Sequence, residues 1–80
     1  ATVTCGRIDF DFPQGGGSSA IGITATGVEC PEARRIVRAC QNGKLEPGWD
    51  ARFQEQDIVM TAEEREIKFM IAGGGGCVPQ

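Results

Sequence analysis

Four cysteines, Cys5, Cys30, Cys40 and Cys77, carry the one chemistry that residue type and spacing define in this 80-residue chain. An even number of cysteines in so short a chain reads as two disulfides. Zinc would ask for closely paired C-x-x-C spacings or histidine partners, and the chain has neither. Metal ligation and cofactors are therefore not expected. Disulfides persist in oxidising compartments, which points to a secreted, extracellular protein.

Other residue pairs invite chemistry with less support. Asp9 and Asp11 project from one face of a strand, with side chains about 7 Å apart. That separation suits glycosidase-like acid chemistry or a weak calcium site. The competing reading is of solvated residues balanced by Arg7, Arg52, Arg65 or Lys68. Ser18 and Ser19 follow three glycines and have no base nearby, so a flexible turn is the expectation there. With no histidine and no tyrosine, catalysis would rest on carboxylates, lysines or serines. A non-catalytic protein is expected. Neither Gly15-Gly16-Gly17 nor the run Gly73 to Gly76 has the phosphate-loop arrangement.

Two features suit binding. Arg34, Arg35 and Arg38 could form a patch for anionic lipid, glycan or an acidic protein surface, because guanidinium groups give planar multidentate hydrogen bonds. The alternative is the ordinary solvent side of an amphipathic helix, with Glu32 paired to Arg35. Trp49, the single tryptophan, lies in a turn-rich segment where it would serve as a binding anchor or fold back to cap the core. The net charge of -3 disfavours nucleic-acid binding, and no apolar run approaches the roughly 20 residues of a membrane span. The partner expected is a protein or a cell-surface target. The start Ala1-Thr2-Val3-Thr4 is what removal of a signal peptide would leave.

These residues need elements to position them. Residues 1–80 fit one domain with a core too small to be stable without cross-links. Val3 to Phe12 reads as a strand, with Ile8, Phe10 and Phe12 alternating against Asp9 and Asp11. Beyond a mobile glycine-rich tip, a second strand places Ile21, Ile23 and Ala25 on one face. Cys30-Pro31-Glu32 starts a helix and Asn42-Gly43 stops it, with Ala33, Ile36, Val37 and Cys40 on its apolar side. Lys44 to Asp50 is a connection. From Phe53 onward the pattern is extended again, forming a second hairpin with Ile58 and Met60 on one strand and Ile67, Phe69 and Ile71 on the next. Val59 and Met70 on its polar side suggest that part of that face is covered. Glycines 73–76 read as a flexible tether to Cys77. The expected fold is α+β, ordered β-β-α-β-β, with one helix on one face of a four-stranded antiparallel sheet.

The helix restricts the disulfide pairing. Ten residues between Cys30 and Cys40 rise about 15 Å, whereas bonded cysteines have Cα atoms within about 7 Å. Hairpin geometry brings Cys30 to Cys5, and a last strand parallel to the first brings Cys77 to the far end of the helix. The expectation is Cys5–Cys30 with Cys40–Cys77. The remaining alternative, Cys5–Cys40 with Cys30–Cys77, asks each bond to cross the sheet.

The segment from Gly27 through Cys30-Pro31-Glu32-Ala33-Arg34-Arg35 to Ala39-Cys40 resembles small secreted domains of actinobacteria. The strands at Cys5-Gly6 and at Ile67 to Ile71 extend that likeness. The architecture is also similar to fungal killer toxins and related effectors, small cystine-bridged α/β sandwiches in which helices cover a four-stranded sheet. A helix ending in Ala39-Cys40 and a terminal Cys77 suit them. These resemblances imply a toxin-like or effector-like protein that acts by binding. The alternatives are a secreted inhibitor or cell-envelope interaction module and, behind both, a small carboxylate-dependent hydrolase.

Overall fold

A computed structural model describes residues 1–73 and 76–78 of the chain. It contains strands β1 (Thr2–Asp11) and β2 (Gly17–Thr26), helix α1 (Cys30–Gln41), and strands β3 (Asp50–Gln54), β4 (Asp57–Ala62) and β5 (Arg65–Gly73). The sheet has five strands, not four, in the order β1-β2-β5-β4-β3 with every pair antiparallel. The added strand, β3, contains only two apolar residues, Ala51 and Phe53, which is too weak a pattern to separate it from the preceding loop. As an edge strand it has one neighbour and needs little more. Residues 74 and 75 of the expected glycine tether lie outside the described residues.

Helix α1 forms for reasons visible along its length. Pro31 occupies the first turn, where a missing N–H costs nothing, and Glu32 favours the positive end of the helix dipole. Gly43, at φ +82°, ends it in a Schellman turn: its N–H donates to the Cys40 carbonyl and the Lys44 N–H to that of Ala39. The buried stripe of Ala33, Ile36, Val37 and Cys40 faces the sheet and lies against β1 and β2. Opposite it are Ile8, Ala20, Ile23, Ala25, Ile58, Met60, Ile67 and Phe69, all buried. Gln41 is buried with them, and its Nε2 donates to the carbonyls of Ile8 and Ser18 and to the Ser18 hydroxyl at 3.1–3.3 Å.

The disulfides join Cys5 to Cys30 and Cys40 to Cys77, with Cα separations of 5.2 and 4.6 Å. Each ties one end of α1 to another part of the chain. β5 runs in the direction of β1, as the pairing argument requires, because both are antiparallel to β2. Trp49 folds into the core at 5% exposure, with the Arg65 guanidinium 5.1 Å from its ring centre.

Two irregularities reset the faces of the first hairpin. The β1–β2 register shifts on both sides of Gly6, and the β2–β5 register shifts between Ile21 and Thr24. Gly22 sits in the second shift at φ +65°, a conformation open to glycine at no steric cost. The expected alternation therefore fails at Ile21, which points away from the core, while Ala20 and Ile23 point into it. The tip of this hairpin is a hydrogen-bonded turn: the Phe12 N–H donates to the Gly16 carbonyl and the Gly15 N–H to that of Phe12. Ser18 and Ser19 belong to β2, not to a turn.

Candidate functional site

The helix leaves one face of the sheet uncovered, and the structure offers a hollow on each side of the molecule. On the helix side, Arg34, Arg35 and Arg38 line an open hollow of about 280 Å³ with Ile8 and Pro31. The three guanidinium groups are brought together but are engaged differently. The Nη1 of Arg34 donates to the carbonyls of Cys5 and Arg7 at 2.7 and 3.1 Å. Those two residues are the ones skipped by the shifted β1–β2 register, so Arg34 supplies donors that β2 does not. Arg35 pairs with Glu46 at 3.0 Å and, more loosely, with Glu32 at 3.7 Å. The hydrogen bond to the Glu46 carboxylate holds the Arg35 pKa above the ordinary value. Of the three, Arg38 alone has neither a side-chain hydrogen bond nor an ion pair among the described residues. An anion clamp needs several donors aimed at one point, and here two of the three are turned to the protein itself.

The aspartates do not converge either. Asp9 accepts from the Ser19 hydroxyl at 2.6 Å and from Arg7 at 2.8 Å while remaining exposed. These partners, the serine hydrogen bond foremost, hold its pKa below the ordinary 3.8. A general acid at neutral pH requires the opposite shift. Among the described residues no group of three acidic or cysteine side chains is placed to hold a metal ion. Trp49 is buried and presents no ring to a partner.

The other hollow lies on the uncovered face. Ile21 and Met70 stand opposite each other across β2 and β5, 39% and 42% exposed. Beside them Gly22 contributes no side chain, and a Cβ built there would meet nothing within 4 Å. The result is a recess of about 340 Å³ lined by Ile21, Gly22, Thr24, Asp57, Lys68, Phe69 and Met70. Its charged rim is the Lys68–Asp57 pair at 3.5 Å. Neighbouring Val59 is only 3% exposed on this face, lying in register between Arg52 and Lys68, whose aliphatic stems can cover it. The partial covering expected for Val59 and Met70 thus holds for Val59 alone.

No family model, curated protein or solved structure matches this chain. The reading of the site rests on its geometry. The recess was hidden in the sequence because strict alternation turns Ile21 inward, and only a glycine at the next position hinted at a bulge. Among the described residues no helix is long and apolar enough to cross a membrane. Two disulfides in so small a domain are compatible with an extracellular location.

Proposed function

We propose that this chain is a secreted, non-catalytic binding protein, of toxin-like or effector-like character, that recognises a protein partner through the uncovered face of its sheet. The observation that carries this reading is the recess at Gly22, with exposed apolar walls, Ile21 and Met70, and a charged pair at the rim. An apolar centre with a polar surround is the ordinary composition of a protein recognition surface. It sits on the central strands β2 and β5, which hydrogen bonds hold from both sides. A partner's apolar side chain would enter the recess without reordering the backbone, which lowers the entropic cost of binding. The arginine hollow supports a partner less well, because Arg34 and Arg35 are already engaged.

The test is capture of surface and secreted proteins by the immobilised oxidised chain. Two variants would run in parallel, Ile21→Asp with Met70→Asp, and Arg35→Glu with Arg38→Glu. Capture lost only in the first supports the recess. Capture lost only in the second, or in neither, refutes it. A target that is an enzyme blocked by the protein would identify an inhibitor, and a structural component of an envelope would identify an interaction module.

A further inference from the structure

The sheet has two edges, and they are finished differently. β1 is interrupted by two register shifts, and Arg34 caps the carbonyls of Cys5 and Arg7 there. β3 has neither device. Its register with β4 closes through the two-residue turn Glu55-Gln56, so Gln54 and Asp57 form the hydrogen-bonded pair that flanks the turn. Counting back by alternation, Arg52 and Asp50 also bond towards β4. The N–H and C=O groups of Ala51 and Phe53 point outward, and no loop or turn hydrogen bond reaches them among the described residues.

The side chains on this edge are complementary to themselves. Asp50 and Arg52 are both exposed, carry opposite charge, lie on one face of β3, and have no ion pair among the described residues. Phe53, on the other face, is 56% exposed, the most exposed of the large apolar residues. Consider a second copy paired antiparallel to this edge. A register centred on Arg52 would set two arginines directly opposite, which is repulsive. A register centred on Phe53 leaves Asp50 and Arg52 without charged partners. A register centred on Ala51 sets Asp50 opposite the partner's Arg52 and Arg52 opposite the partner's Asp50. It also makes Ala51 a small, mutually hydrogen-bonded centre.

We propose that the chain forms a homodimer by antiparallel pairing of β3 with β3 of a second copy, in register about Ala51, fixed by two reciprocal Asp50–Arg52 ion pairs. The two-fold axis of such a pairing is perpendicular to the sheet, so the product is a continuous ten-stranded sheet with both uncovered faces on the same side. Two Gly22 recesses would then face one surface, and binding to a repetitive target would gain from the linkage of two sites. The dimer stands on the β3 edge alone and does not depend on the recess being a binding site. A five-residue edge is a small interface of the weak, transient class. Its charges therefore act mainly on which register forms.

Sedimentation equilibrium of the oxidised chain, up to about millimolar concentration, tests this. The wild type dimerises reversibly with concentration. Arg52→Asp and Asp50→Arg, each alone, place like charges opposite and are monomeric over the same range. Mixed in equal amounts they form a heterodimer, because every pair about Ala51 is then opposite in sign, and the double variant Asp50→Arg/Arg52→Asp recovers the homodimer. Recovery in the mixture also shows that each single variant is folded. A wild type that stays monomeric, single variants that dimerise as it does, or a mixture that stays monomeric while the wild type dimerises would each overturn the proposal.

Discussion

At the scale of single residues, Arg34, Arg35 and Asp9 serve the protein's own backbone and its own charges. Arg34 serves two carbonyls that the shifted register of β1 leaves without β2 partners. Arg34→Met, which keeps the apolar stem, strands both carbonyls and should cost about 2 kcal/mol. Arg34→Lys should recover part of that, since an ammonium offers donors without the planar fork. Urea unfolding of the three proteins distinguishes them, and equal midpoints would contradict the role. Asp9 answers to the Ser19 hydroxyl first and to Arg7 second, which lowers its pKa from 3.8. Because the folded value lies below the unfolded one, the stabilisation is fully present above the ordinary carboxylate range and is lost as pH falls through the folded value. Ser19→Ala should move the Asp9 titration upward, measurable by NMR of the side-chain carboxyl. An unmoved titration would show that Arg7 alone sets it. Of the residues singled out by type, the cysteines carried their structural role openly, whereas the arginines and aspartates did not. A side chain's partner depends on backbone irregularities that residue type does not encode.

At the scale of elements, the helix was fully legible and the sheet only in part. Pro31, Glu32 and Asn42-Gly43 mark the ends of α1 locally, so no knowledge of the rest of the chain is required. Strand faces are different, because one bulge reverses every later side chain on the strand. Ile21 illustrates it: a period of two placed it with Ile23, and the bulge at Gly22 separated them, creating the recess in the process. Only the extended pattern from Phe53 onward marks β3 in the sequence, and nothing there separates it as a strand of its own, because an exposed edge strand needs no apolar alternation. Backbone conformation at these points is open to test in both directions. Gly22→Ala puts a Cβ at φ +65° and should destabilise by about 1 kcal/mol although the space around it is empty. Glu63 already occupies such a conformation, at φ 55° in the β4–β5 turn. Glu63→Gly should therefore raise stability by up to about 1 kcal/mol. Denaturation midpoints shifting in the same direction for both variants would contradict the backbone argument.

At the scale of the whole molecule, one small core is held closed by two staples placed at opposite ends of one helix. That placement was readable beforehand, since the length of α1 forbids Cys30–Cys40 and the hairpin brings Cys30 to Cys5. The two bonds are not equivalent. They close loops with sequence separations of 25 and 37, each worth about 3–4 kcal/mol by the loop-entropy model. The loop term favours Cys40–Cys77 by only a few tenths of a kcal/mol. The surroundings widen the gap. If Cys5–Cys30 is removed, the start of α1 remains tied to β1 through the Arg34 hydrogen bonds. If Cys40–Cys77 is removed, the half-buried Cys77 and Val78 lose the covalent bond that holds them against the core. Cys40→Ala/Cys77→Ala should therefore melt lower than Cys5→Ala/Cys30→Ala, and full reduction of the wild type lower than both. At several degrees per kcal/mol for a domain of this size, each loss is large enough to read in a thermal scan. Equal melting temperatures for the two double variants, or the reverse order, would show that the C-terminal segment adds nothing to the core beyond its loop.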